Sequence, residues 1–312
     1  MGRMRPTREG YSEGLLAAGW ESPLVVVLDA DLASSIGSEG FGQVFPDRYF
    51  NVGISEQDMI GEAAGLALAG LIPFASTYGV FAAGRAWDQI RTTVCHNNLN
   101  VKIGGAHGGV SVGPDGATHQ ALEDLAIMRV LPGMSVLFPA DASQTKACVL
   151  AASRHQGPVY IRFGRNPVPE IYPEGCSVEI GKADLLSEGR HLTIVAGGVM
   201  VSEALDALPL LVSRGMTADL INMVSVKPMD EDMLVSSAKK TGHVLVAEDH
   251  QDSGGLGGAV CELLCSRCPV PVERMGVPGV FGQSGSPEEV RESFDLTASG
   301  ISRMARKMLE RS

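Results

Sequence analysis

Aromatic side chains are scarce in this sequence, 5% of residues, and its six cysteines form no framework. Cys95, Cys148 and Cys176 stand alone, whereas Cys261, Cys265 and Cys268 fall in one helix-like run. Cys261 and Cys265 share a face at i, i+4, and Cys268 lies within reach of a shared metal. No fourth ligand is near them in sequence, so plain thiols are expected. No apolar run approaches the ~18 residues of a spanning helix, and Met1–Gly10 is polar and basic, unlike a signal peptide. These absences argue against a membrane span and a disulfide-stapled fold, and leave the cytoplasm as the expected compartment. Positive charge is also short. Against 36 Asp and Glu stand 25 Lys and Arg, a net charge of −11, which suits neither a nucleic-acid backbone nor an anionic membrane. Phosphate would have to be met by a few placed arginines, histidines and helix N-termini.

What is present is a chain of 312 residues, 45% hydrophobic and rich in Ala, Gly, Val and Leu, about right for two α/β domains of ~150 residues. Short apolar runs predict strands at Leu24–Leu28, Ile72–Ser76, Val101–Ala106, Ser135–Phe138 and Val159–Phe163. Between them, helices are predicted at Glu56–Ala69, Phe81–His96, Gln120–Val130 and Ala142–Arg154. Asn166–Pro173 holds three prolines in eight residues and reads as an extended connection. The pattern then restarts with strands at Leu192–Ala196, Ala218–Asn222, Val244–Glu248 and Val270–Arg274. Helices are predicted from Gly197-Gly198 to about Arg214 and at Asp230–Lys240, Leu256–Ser266, Pro287–Phe294 and Ser302–Glu310. This alternation predicts an α/β protein of two three-layer αβα domains with mainly parallel sheets. The expected boundaries are residues 1–168, a linker at 169–188, and 189–312.

Three clusters in the first block carry polar groups. Asn51-Val52-Gly53-Ile54-Ser55-Glu56-Gln57 puts a carboxylate at the opening of a helix, which a helix dipole or a Ser55 cap would also select. Ser76-Thr77-Tyr78-Gly79-Val80-Phe81 runs on to Arg85-Ala86-Trp87-Asp88-Gln89, with aromatic rings at i and i+3, ordinarily a core pattern. Gly104-Gly105-Ala106-His107-Gly108-Gly109 and Gly113-Pro114-Asp115-Gly116-Ala117-Thr118-His119-Gln120 thread two histidines and an aspartate through a glycine-rich loop. Such loops bring backbone close to a ligand and present polar side chains to it.

In this order the clusters resemble the pyrimidine-binding domain of transketolases. The second block, with Gly197-Gly198, Glu248-Asp249-His250 and Gly254-Gly255-Leu256-Gly257, resembles the transketolase C-terminal domain, so the resemblance spans essentially the whole chain. The Asp115–Gln120 motif is similar to one found in transketolases and deoxyxylulose-phosphate synthases. The β-subunits of 2-oxo-acid dehydrogenases share Ile54-Ser55-Glu56-Gln57 but do not usually share that motif. The resemblance implies transfer of a two-carbon ketol unit between sugar phosphates with thiamine diphosphate. It implies that Glu56 hydrogen-bonds N1′ of the aminopyrimidine and favours the imino tautomer that deprotonates thiazolium C2, helped by the raised proton affinity of a carboxyl in a dry pocket. Phe81 would stack on the pyrimidine and Tyr78 would wall the same pocket. An extra residue between Phe81 and Arg85, relative to some relatives, leaves the choice between the two rings open. Asp31 would lie near the cofactor at a subunit interface. His107, Asp115 and His119 would contact the sugar, with His107 and His119 in the catalytic set. Arg8, Ser35 and Arg165, helped by His107, would hold the terminal phosphate, two guanidiniums giving the fork that suits it.

The resemblance also exposes a gap. Complete transketolases carry Gly-Asp-Gly and a later Asn that bind Mg²⁺ and the diphosphate. The tripeptide occurs nowhere here, and no metal ligand is assigned to this chain. An N-terminal transketolase subunit is therefore expected to supply that half of the site, in an α2β2 assembly. Met1, followed by a short lead into Thr7-Arg8, reads as the start of a genuine subunit. The alternatives are a dehydrogenase β-subunit, a deoxyxylulose-phosphate synthase fragment, and a non-catalytic binding module of the same fold.

Overall fold

The computed structural model describes residues 3–311. Strands β1 (Met4–Pro6), β2 (Val25–Asp29), β3 (Tyr49–Asn51), β4 (Ile72–Tyr78), β5 (Lys102–Ala106), β6 (Ser135–Leu137), β7 (Val159–Arg162) and β8 (Pro167–Pro169) come first. They are followed by β9 (Asp184–Ser187), β10 (Leu192–Ala196), β11 (Ala218–Asn222), β12 (Ser225–Lys227), β13 (Val244–Gln251) and β14 (Val272–Val277). A seven-stranded sheet has the order β12-β6-β7-β5-β4-β2-β3, and a five-stranded sheet the order β14-β13-β10-β11-β9. Both are parallel except where the edge strands β12 and β9 pair antiparallel. Strands β2, β5, β7, β10 and β11 are buried along their whole length, as strands covered on both faces by helices must be. The α/β architecture is the one expected.

Most predicted helices fall within a few residues of their places, and the departures have local causes. The Phe81–His96 pattern is broken into Gly79–Gly84, Trp87–Gln89 and a π turn at Ile90–Cys95. The break falls at Arg85-Ala86, where the Arg85 carbonyl accepts from Gln57 Nε2 at 3.1 Å. The helix expected from Gln120 starts at Asp124, because the Gln120 side chain is committed to the carbonyls of Val110 and Gln283 at 3.1 and 3.0 Å. The last helix begins early, at Ala298, with Thr297 Oγ1 accepting from Gly300 N.

Three α-helices, Thr7–Glu21, Ala33–Ile36 and Glu39–Val44, have no counterpart in the apolar pattern, and the first is the longest. Thr7–Glu21 buries Gly10, Tyr11, Gly14, Leu15, Ala18 and Gly19, so its inner face is mostly small. It lies backbone to backbone on Ala142–Arg154. A Cβ on Gly10 would sit 1.9 Å from the Ala142 carbonyl oxygen, and one on Gly14 would sit 2.6 Å from Val149 Cβ.

The two halves interlock. Strand β12, from well beyond the linker, joins the first sheet beside β6. Val195, Ile221 and Val246 belong to the same buried cluster as Met59, Ala75 and Ile103. The proline-rich connection is itself stapled down. Asp141 caps the Ala142–Arg154 helix through Gln144 N, and its other oxygen accepts from the amides of Ile171 and Tyr172 at 2.6 and 2.7 Å.

Candidate active site

The singled-out residues converge on the carboxyl ends of parallel strands, where open α/β sheets place their ligands. Asp31 follows β2, Glu56 follows β3, Tyr78 closes β4, His107 follows β5 and Arg165 follows β7. Arg8 stands in the first turn of the Thr7–Glu21 helix.

Glu56 opens the Glu56–Leu68 helix and is 4% exposed. It is not alone in its pocket. Arg85 Nη1 donates to both carboxylate oxygens, at 3.0 and 3.1 Å, and the same guanidinium lies over the Phe81 ring at 4.1 Å from its centroid. A single flat group therefore separates the carboxylate from the aromatic face. Tyr78 leans the other way, 4.1 Å from the His107 ring, and is 5.9 Å from Phe81. His119 meets both rings edge-on, 5.8 Å from Tyr78 and 5.5 Å from Phe81. The four predicted rings thus form one aromatic group, with Phe81 on the Glu56 side and Tyr78 on the His107 side.

His107 is 1% exposed, and its Nδ1 is buried without a hydrogen-bond partner among the described residues. Its backbone is left-handed, with φ of +57°, a conformation a bulky side chain adopts only when its surroundings impose it. Burial, then the charges of Arg165 and Arg8, push its pKa down to about 4. The imidazole is therefore neutral near neutral pH, able to accept at one nitrogen and donate at the other.

The predicted anion-binding residues fall into two contacts beside it. Arg8 Nη1 donates to the Ser35 carbonyl at 3.0 Å, and Arg165 Nη1 pairs with Asp115 at 3.2 Å. Both arginines are near enough to His107 to bias its proton. Asp31 stands apart from these groups; it has φ of +63° and accepts from Asn51 Nδ2 at 3.2 Å.

The glycines of this region serve the chain's own packing. A Cβ on Gly104 would strike the Tyr11 hydroxyl at 2.4 Å, and one on Gly105 would strike the Tyr160 hydroxyl at 2.1 Å. One on Gly109 would lie 1.9 Å from Asp249 Oδ2. Asp249, of the Glu248-Asp249-His250 element, accepts from Val110 N and Ser111 Oγ, both at 2.8 Å. Glu248 accepts from the amides of Leu256 and Gly257 at 2.7 Å. The second half thereby holds the loop that carries His107.

Arg162, which the motif reading passed over, ties this joint together. It is 2% exposed, pairs with Asp124 at 2.9 Å, and donates to the carbonyls of Ala121 and Asp249 at 2.8 Å. The signal for it was a lone arginine closing an apolar strand. Arg85 had no comparable signal, because helices commonly carry an arginine on their exposed side.

Among the described residues, no three His, Cys, Asp or Glu side chains group as a metal site, and no helix is long and apolar enough to cross a membrane. All six cysteines are free thiols.

A buried carboxylate, an aromatic face and a buried histidine thus meet at the strand ends of the first of two interlocked α/β halves. Residues 3–170 match the family model for the transketolase pyrimidine-binding domain, and residues 181–301 match that for the transketolase C-terminal domain. The chain belongs to the transketolase family, as a subunit of the split-transketolase type. It is 43% identical over 299 residues to a putative transketolase C-terminal section of Methanocaldococcus jannaschii, covering 95% of this chain and 94% of that one. It is 42% identical over 304 residues to a 6-deoxy-6-sulfo-D-fructose transketolase subunit of a Clostridium species, covering 97% and 94%. A solved structure described as a split-gene transketolase in an inactive β4 tetramer is 48% identical and superposes with a TM-score of 0.92, covering 98% of each chain.

The family implies thiamine diphosphate, and these residues fit its aminopyrimidine end. Glu56 is a buried acceptor and Phe81 offers a flat face, while His107, on the far side of Tyr78, keeps an orphaned Nδ1.

Proposed function

We propose that this chain is the cofactor-activating and sugar-reading subunit of a cytoplasmic split transketolase, which transfers a two-carbon ketol unit between sugar phosphates. An N-terminal subunit would hold the diphosphate and Mg²⁺ in an α2β2 assembly. The observation that carries the reading is the pairing of a nearly buried Glu56 with the Phe81 face across the width of one flat cation. When bound, thiamine diphosphate supplies a nucleophilic carbon and an electron sink. Glu56 would hold a proton at the pyrimidine N1′ and Phe81 would stack on the ring, with Tyr78 walling the same pocket. Neutral His107, with His119 and Asp115, orients the sugar's oxygens, and Asp31 lies towards the partner. Arg8 and Arg165, with Ser35 and His107, receive the terminal anion, for which Arg165 would leave or share its Asp115 partner.

Dependence on a partner is supported by the description of the 48% identical protein as an inactive β4 tetramer. The chain alone should therefore show no transketolase turnover, and mixing it with a Gly-Asp-Gly subunit should restore it. Robust turnover from the lone chain would contradict the split-site reading.

Substrate recognition has its own test. A charge-assisted contact to a dianion is worth about 1.5–3 kcal/mol, or roughly 10- to 150-fold in kcat/KM. Arg8→Ala and Arg165→Ala should lose that factor with ribose 5-phosphate, mainly through KM, because the contact is remote from the breaking bond. Glycolaldehyde, which has no phosphate, should be used almost as well as by the unaltered enzyme. Equal losses on both acceptors would assign the arginines to folding or to the subunit interface.

A further inference from the structure

Arg85 is the charged side chain of this site for which the proposed reaction has no task. Its guanidinium contacts two residues, donating to both oxygens of Glu56 and lying over the face of Phe81. A guanidinium is flat, cationic and edged with N–H donors, and a protonated aminopyrimidine has the same three properties. We propose that Arg85 is a placeholder: without cofactor its guanidinium fills the aminopyrimidine seat between Glu56 and Phe81, and it swings out as the ring enters.

Local structure favours such a swing. Arg85 sits in the break between the Gly79–Gly84 and Trp87–Gln89 helices, its amide closing the first of them on the Phe81 carbonyl at 3.0 Å. Its carbonyl is fixed by Gln57, so the backbone can stay while the side chain moves. Apart from its chain neighbours and its own helix backbone, the preceding Gly84 has no described atom within 4 Å of where its Cβ would be, and the Arg85 side chain is 51% exposed. Among the described residues, Glu56 and Phe81 alone hold the guanidinium inward. The placeholder has a purpose in a subunit made apart from its partner, since a buried carboxylate without a counter-charge is costly.

The inference rests on the proposed function, and its test separates the two. Thiamine diphosphate with Mg²⁺ is titrated calorimetrically into the chain assembled with its Gly-Asp-Gly partner, and the lone chain is melted in parallel. A seat closed ~90% of the time weakens apparent affinity about tenfold. Arg85→Ala should therefore bind the cofactor about tenfold more tightly, while the lone chain melts at a lower temperature because Glu56 has lost its counter-charge. Arg85→Lys keeps the charge but not the flat stack, so it should hold the melting point and gain part of the affinity. A purely structural arginine would move both readouts downward together. Unchanged or weaker binding by Arg85→Ala overturns the placeholder while leaving the transketolase reading intact. An unaltered assembly that binds no cofactor overturns both.

Discussion

Replacing Glu56 with Gln should slow deprotonation at C2 of bound thiamine diphosphate by at least ~10²-fold, the lower range for a positioned acid–base group. Gln keeps the size and one hydrogen-bonding oxygen but cannot hold a proton for N1′. The helix start at Ser55 has no side-chain cap to lose. Arg85 is half-exposed and can hydrate once its partner is neutral, so the stability cost should stay within ~1 kcal/mol. Assembly with the partner should survive. The measurement is hydrogen–deuterium exchange at C2 in the assembled enzyme, with sedimentation to verify the complex. An unchanged exchange rate would give the carboxylate another role.

The largest stability effect is expected at Arg162. Arg162→Met keeps most of the volume but leaves Asp124, 2% exposed, with the Tyr160 hydroxyl at 2.8 Å as its one side-chain partner among the described residues. Breaking a buried pair in this way costs about 3–5 kcal/mol. The carbonyls of Ala121 and Asp249 lose their donor as well. The expected result is a lower urea midpoint, partly recovered when Asp124→Asn is added, because the two residues form one network. A loss below ~1 kcal/mol would mean that water or a shifted side chain replaces the arginine. Since the same residue braces the segment after His107, the variant should also raise KM for sugar phosphates under conditions where it stays folded.

Much of the architecture was legible because buried parallel strands announce themselves as short apolar runs. Leu192–Ala196 and Ala218–Asn222 lie where the sequence puts them, as does the Ala142–Arg154 helix, which has an aspartate cap and regular spacing. The Thr7–Glu21 helix was illegible for the opposite reason. Close helix contact selects glycine, and glycine leaves no hydrophobic period. Strand β12 is three residues long and joins a sheet whose other strands lie far upstream, so no local pattern could assign it. At the site, the rings and histidines were legible as a motif, and the structure brings Tyr78, Phe81, His107 and His119 together. The glycine-rich loop was read for its reach towards a ligand. Three of its glycines, Gly104, Gly105 and Gly109, also make room for Tyr11, Tyr160 and Asp249, long-range contacts that composition does not encode.

The course of β12 bears on how this protein can be cut or recombined. The proline-rich stretch looks like a hinge at which two exchangeable modules could be parted. Cutting there would strip the first sheet of its antiparallel border and leave the backbone groups of β6 bare, a template for pairing with another chain. It would also open the buried cluster in which Val195 and Val246 lie with Ile103. Swapping the rear half for that of a distant relative therefore carries a hidden requirement: the graft must bring a strand of matching register, or the front half is left prone to self-association.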